Sequence, residues 1–243
     1  MHGSKHRPTP CTIACKRSLP RLLAGALAAA LAVLPLSGPA QAQSRDHQNI
    51  AGQNVAGQFD YYVLALSWAP SWCRSVDDPR DANSCDPGRR AHFVTHGLWP
   101  QHERGWPADC PTTHRNPTRA ETRAMVDVTG SSGLAWYQWR KHGRCSGLSA
   151  TAYFDAMRRA SGRIRIPEVL SGLNRDIRLP ARVVEDAFIE ANPDLSRDGI
   201  TVTCRGADLQ EVRICLNRDL SPRACAPDTR RDCARDMVMP APN

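Results

Sequence analysis

The chain has 243 residues, a formal net charge of +8, 41% hydrophobic and 23% charged residues, a globular composition that excludes a collagen, a coiled coil, a disordered polyelectrolyte and a polytopic membrane protein. Residues 1–42 hold five basic side chains and no acid, so residues 43–243 carry 27 basic against 24 acidic groups. Bulk charge therefore does not by itself argue for a nucleic-acid partner.

Residues 1–42 read as a secretory signal peptide: a basic stretch to Arg21, the uncharged run Leu22 to Leu36, then Pro35, Gly38, Pro39 and the small-x-small site Ala40-Gln41-Ala42. A membrane anchor is disfavoured because a span needs about 20 apolar residues. Cleavage is expected after Ala42, with no membrane anchor left and a periplasmic or extracellular location. Residues 43–57 are polar and read as a flexible N-terminal segment, and 58–243 as one domain. Eight cysteines remain after the leader: Cys73, Cys85, Cys110, Cys145, Cys204, Cys215, Cys225 and Cys233. An even number in an exported chain reads as four disulfides, and the absence of any CxxC argues against a zinc site. Eight cysteines allow on the order of a hundred pairings, so spacing alone leaves the connectivity open.

The domain opens with Tyr61 to Leu66, a continuous apolar run expected to form a strand buried on both faces. Residues 74–90 are an Asp-, Arg- and Pro-rich loop held by Cys73 and Cys85. A second strand is expected over 91–96, stopped by Gly97 and Pro100, followed by loop over 101–117. A helix from Leu134 to His142 follows, capped by Ser131 or Ser132, with Gly143 past its end. Ser149 caps another, with Tyr153, Met157 and Ala160 on one face. A third starts near Pro180 and buries Val184, Ala187, Phe188 and Ala191. Ile200 to Thr203 is β-branched, and Val212, Ile214 and Leu216 alternate with Glu211, Arg213 and Cys215, so two strands close the chain. Strands at both ends with helices between predict an α+β fold.

Two segments carry the chemistry. His96 lies in THGLWPQ, at a strand end, with Trp99 three residues on as a flat face for a ligand ring. The second is WYQWRKHGRC, where Gln138 and His142 are one helical turn apart, as are Tyr137 and Lys141. Lys141 is the only lysine after the leader, against 26 arginines, and its compact charge suits a phosphoryl oxygen. No GxSxG, paired-carboxylate or Gly-rich phosphate signature is present. Two histidines and a lysine without a protein nucleophile suit a substrate that carries its own. RNA does, with its 2′-hydroxyl beside the 3′-phosphate, and no cofactor or metal is required. Unperturbed histidines near pH ~6.5 predict a bell-shaped rate profile.

THGLWPQ at 95–101 and QWRKHGRC at 138–145 resemble the two active-site segments of the ribonuclease T2 family, and FDYYVLALSWAPSWC at 59–73, FIEANPDL at 188–195 and ITVTC resemble its first strand, late helix and late strand. The resemblance implies a mainly antiparallel sheet packed by helices. It also implies low-specificity endonucleolytic cleavage of single-stranded RNA through a 2′,3′-cyclic phosphate by a monomer. By the same resemblance His142 is general base, His96 general acid, Lys141 the transition-state cation, and Trp99 the aromatic that stacks on the base upstream of the scissile bond; Tyr137, where the family has another residue, can still hydrogen-bond a phosphate. Cys110 pairs with Cys145, Cys204 with Cys233, and Cys215 with Cys225. Where the family usually has His-Glu before the second tryptophan, this chain has Tyr137-Gln138. Gln138 can donate to a phosphoryl oxygen but cannot titrate, so the alternative expectation is a ribonuclease-like binding protein with weak or no turnover. Arg144 is a further candidate phosphate contact.

Overall fold

The computed structural model describes residues 54–75, 85 and 92–242. The expected signal peptide and most of the segment 43–57 lie outside the described residues.

The first strand, β1 (Tyr61–Trp68), is buried on both faces along almost its whole length. Its unbroken apolar sequence has that cause: β1 is an inner strand, paired antiparallel with β2 (Phe93–Gln101) on one side and β5 (Asp208–Leu216) on the other. The sheet order is β2-β1-β5-β6-β3, with β4 (Ile200–Arg205) also on β5, β3 spanning Ile177–Leu179 and β6 Met237–Met239. All pairings are antiparallel except one parallel contact between Asp208 and Val238. The fold is therefore α+β with a mainly antiparallel sheet.

Seven helices complete the described residues: α1 (Ala69–Ser75), α2 (Arg119–Arg123), α3 (Val126–Thr129), α4 (Ser132–Lys141), α5 (Ala150–Arg163), α6 (Glu168–Ser171) and α7 (Ala181–Ala191). Two start where the side-chain chemistry requires. Ser131 accepts the Leu134 N–H at the head of α4, and Ser149 accepts the Ala152 N–H at the head of α5. Each such cap satisfies an amide that has no partner inside its helix, a contribution of about 1 kcal/mol. α5 turns Tyr153, Met157 and Ala160 into the core, and the Tyr153 hydroxyl donates to the Leu98 carbonyl of β2 at 2.9 Å. α7 buries Val184 and Phe188. The core between sheet and helices is built around Trp68, Trp139, Tyr153 and Phe188, each fully buried.

Several local expectations change. β2 does not stop at His96 but runs on through Gly97 and Pro100 to Gln101. Pro100 is tolerated because β2 is an edge strand, where a missing N–H faces no further partner. Gly143 is not a left-handed cap; a β-carbon there would lie 2.7 Å from Trp139 and Tyr153 side chains, so glycine is needed for close approach. Residues 54–57 are docked rather than loose. The Gly57 amide donates to the Cys145 carbonyl at 2.9 Å, and Asn54 accepts the Ala108 amide at 3.0 Å.

Among the described residues four disulfides are present: Cys73–Cys85, Cys110–Cys145, Cys204–Cys233 and Cys215–Cys225. Cys110–Cys145 joins the loop after β2 to the short 3-10 turn Gly143–Ser146 that follows α4, which couples the two His-bearing segments covalently. Among the described residues no helix is long and apolar enough to cross a membrane.

Candidate active site

His96 owes its position to an irregularity in β2. Along the β1–β2 ladder Ala65 faces Gly97 and Leu66 faces Thr95, so His96 is the extra residue of a bulge. A bulge turns a side chain out of the regular alternation and is a common device beside active sites. His96 is thus held mid-strand, not at a strand end as its sequence context suggested. His142 terminates α4, with its backbone N–H still bonded to the Gln138 carbonyl at 3.0 Å. Lys141 is the last residue of that helix, and the helix places Tyr137, Gln138, Lys141 and His142 along its final turn.

The two segments meet at Trp99. Its indole stacks on the His142 ring, with centroids 5.3 Å apart and planes 29° apart, while His96 meets it edge-on, also at 5.3 Å. Trp99 Nε1–H donates to Gln138 Oε1 at 2.8 Å. Gly97 makes this bond possible, because a β-carbon at that position would lie 2.1 Å from Gln138 Oε1. The Arg213 guanidinium lies over the same indole, 5.2 Å from its centre. Trp99 is therefore partly covered, with His142 stacked on it, His96 at its edge and Arg213 over it, and it still lines the cavity.

His96, Trp99, Tyr137, Gln138, Lys141 and His142 all line one cavity of about 420 Å³. Lys141 Nζ sits 5.7 Å from the centre of the exposed Tyr137 ring. His142 is 8% exposed. Burial, then the charges of Lys141 and His96, push its imidazole down to about 3, so it is neutral at ordinary pH and able to accept a proton. Gln138 is fully buried, and its Nε2, like His142 Nδ1, has no hydrogen-bond partner. An unpaired buried polar atom costs about 1–3 kcal/mol, so both side chains carry an unmet hydrogen-bonding demand beside the cavity. Arg144 does not join the site; it donates to Asn116 Oδ1 at 2.8 Å. Among the described residues no group of three or more His, Cys, Asp or Glu side chains is placed to hold a metal.

Sequence reasoning missed Arg213 on β5, with Gln101 and Trp106, which also line the cavity, and Glu211, which lies behind His96 and Arg213. Glu211 is 1% exposed and contacts His96 Nδ1 through Oε1. Its Oε2 accepts from Arg213, at 2.9 Å from Nε and 2.8 Å from the terminal nitrogen. Burial works to raise the Glu211 carboxyl, but the hydrogen bond and charge of His96, with the Arg213 guanidinium, outweigh it and hold the group below the usual range. The only signal in the sequence was Glu211 and Arg213 alternating with apolar residues, a pattern that ordinarily faces solvent.

Comparison with known proteins gives the family and the fold. The model of the Ribonuclease T2 family matches residues 59–225. A ribonuclease of Aeromonas hydrophila is 31% identical over 185 residues, covering 70% of this chain and 77% of that protein. Ribonuclease I of Escherichia coli (strain K12) is 30% identical over 207 residues, covering 67% and 77%. Among solved structures, an RNase-related protein from Calystegia sepium superposes with a TM-score of 0.59 at 22% identity, over 76% of this chain and 99% of that one. The structure of RNase NT in complex with 5′-AMP gives the same score, identity and coverage. The fold is thus the one these proteins share, and both active-site segments fall within the family match. The chain belongs to the ribonuclease T2 family and is an endoribonuclease of that type.

Proposed function

We propose that this endoribonuclease cleaves single-stranded RNA by attack of the 2′-hydroxyl on the adjacent phosphate, with low base specificity. Neutral His142 takes the 2′-hydroxyl proton as the new P–O2′ bond forms. The P–O5′ bond then breaks, His96 delivers a proton to the leaving oxygen, and the products are a 2′,3′-cyclic phosphate and a 5′-hydroxyl. Lys141 offsets the charge that gathers on the phosphoryl oxygens. Gln138 Nε2, a buried donor without a partner, is the neutral hydrogen-bond donor to the same oxygens, and Tyr137 bounds the substrate at the rim.

The observation that carries this reading is the placement of His96 and His142 on one indole, lining one cavity together with Lys141. Two proton-transfer groups and a cation lining one cavity supply what a substrate with its own nucleophile needs. Binding without turnover is not favoured, because Gln138 leaves both histidines in the cavity. The test is incubation of the oxidised protein with single-stranded RNA and with single-stranded DNA of the same sequence, each with EDTA. RNA ending in 2′,3′-cyclic phosphate and intact DNA are expected, since DNA lacks the 2′-hydroxyl. Comparable DNA cutting, or loss of RNA cleavage in EDTA, overturns the mechanism.

We also infer export, with residues 1–42 removed and a monomer acting in the periplasm or outside the cell. Four disulfides support an oxidising compartment. Mature protein beginning at Gln43 is the expected N-terminal sequence, and an intact leader on the exported chain overturns this.

A further inference from the structure

We propose that Glu211 is the positioning residue of His96, fixing which ring nitrogen carries the transferable proton, and that Arg213 holds Glu211 in place. The inference rests on the proton-transfer role of His96 proposed above.

His96 and Glu211 are two strands apart, on β2 and β5, with β1 between. Register explains how they meet. Ser67 of β1 pairs with Glu211, and Ala65 pairs with Arg213 on one side and Gly97 on the other. Side chains two apart on a strand share a face, so Ala65 and Ser67 lie beneath the two long side chains of β5. Both are small, which lets a side chain from β2 reach one from β5 across the intervening strand. The bulge at His96 supplies the turn that aims it there.

An ionised carboxylate only accepts hydrogen bonds. With Glu211 Oε1 against His96 Nδ1, the Nδ1 position must carry a proton in both states of the ring. Nε2 is then the nitrogen whose proton comes and goes. In the protonated ring, Nε2–H is delivered to the leaving 5′-oxygen as the P–O5′ electron pair moves onto that oxygen. The ring is left neutral with Nδ1–H still bonded to Glu211, which itself takes no proton. Without the carboxylate, a neutral histidine favours the opposite tautomer. Arg213 completes the device from the same strand, binding Glu211 Oε2 through two nitrogens and lying over Trp99. It thereby fixes the carboxylate, and through Trp99 couples it to the His142 side of the site. A third group that orients a catalytic imidazole is a recurrent arrangement on unrelated folds.

The test uses two substrates that differ in their need for an acid. A dinucleoside phosphate expels a 5′-alkoxide, which needs a proton; a nucleoside 3′-(4-nitrophenyl phosphate) expels a stable phenolate, which does not. For Glu211→Gln we expect kcat on the dinucleotide to fall about 10²-fold with KM within about twofold, and activity on the aryl ester to fall less than about threefold. His96→Ala, measured alongside, should show the same split. Equal losses on both substrates for Glu211→Gln mean a general structural role and overturn the proposal. A near-wild-type Glu211→Gln beside a defective His96→Ala also overturns it while leaving the proposed function standing. If His96→Ala itself retains full activity on the dinucleotide, the function proposed for His96 is what fails. A measurement on the unaltered protein covers the case in which the variant does not fold. Nitrogen-15 NMR of the His96 ring at alkaline pH should report the Nδ1–H tautomer, and an Nε2–H tautomer overturns the assignment.

Discussion

Gly97→Ala tests whether the Trp99–Gln138 contact organises the site. The added methyl would sit 2.1 Å from Gln138 Oε1, 2.4 Å from Trp99 Nε1 and 2.7 Å from Gln138 Cδ. All three belong to one hydrogen-bonded pair, so the methyl lands on the bond itself. Gln138 is fully buried, so its amide is packed against neighbours rather than free in solvent. One partner must therefore move by about 1 Å, breaking a buried hydrogen bond worth about 1 kcal/mol and adding an overpacking cost of about 1–3 kcal/mol. The expected loss of stability is about 2–4 kcal/mol. Because Trp99 touches both histidine rings, a displacement of that size also misaligns the proton-transfer groups, for which about 10²-fold in kcat is the expected scale. Urea denaturation and steady-state cleavage of a dinucleotide measure the two effects. Gly162→Ala is the internal control. It lies near the end of α5 with no atom within 4 Å of its would-be β-carbon, and should gain up to about 1 kcal/mol with unchanged activity. A Gly97→Ala protein within about 0.5 kcal/mol and threefold of the parent would refute the reasoning.

The acid limb of the pH–rate profile should fall near the low value to which burial, Lys141 and His96 push His142, about 3, so the enzyme keeps most of its rate at pH 5; half-loss near pH 6.5 would contradict this. The same shift makes stability fall as pH drops from about 6.5 toward 3, since only the unfolded chain binds the proton there, by on the order of 1 kcal/mol per pH unit. Gln138→Glu should raise the rate about 10-fold, or ~1.4 kcal/mol of barrier, most at acid pH where the buried carboxyl is protonated and can donate; a fall at every pH refutes it. Replacing both Cys110 and Cys145 by Ala should cost about 3–4 kcal/mol from the 35-residue separation they close, read by denaturation; a loss under 1 kcal/mol contradicts this. Burial, with the hydrogen bond and charge of neighbouring Asp232, outweighs the Arg197 guanidinium 3.2 Å from Oε2 and raises the Glu185 carboxyl to about 7. Its contribution is present below the unfolded value near ~4.5 and is lost as pH rises through 7. Glu185→Gln should therefore gain about 1–2 kcal/mol at pH 8 and little at pH 4; a less stable variant at pH 8 refutes it.

Much of this fold was legible in the sequence because local physics and tertiary context agree in the relevant segments. The run Tyr61 to Leu66 has no polar alternation because β1 is covered on both faces, and Ser131 and Ser149 cap helices by bonds made within three residues. α7 shows its apolar stripe because one side of it faces the core. His96, Trp99, Gln138, Lys141 and His142 stood out by residue type and by two short motifs. What was not legible depends on contacts between distant segments. Three-residue strands such as β3 and β6 carry too few residues for any periodicity. Gly97 and Pro100 signal a turn in isolation, and only the edge position of β2 lets the strand continue through them. Trp99 reads locally as an open stacking face, whereas the fold places His142, His96 and Arg213 around it. Glu211 and Arg213 alternate with apolar neighbours as any solvent-facing pair would. They become part of the site because small Ala65 and Ser67 on β1, and a one-residue bulge on β2, let His96 reach Glu211 across an entire strand. Residue types and short-range spacing determined which groups were available for chemistry; the register between strands far apart in the chain decided which of them touch.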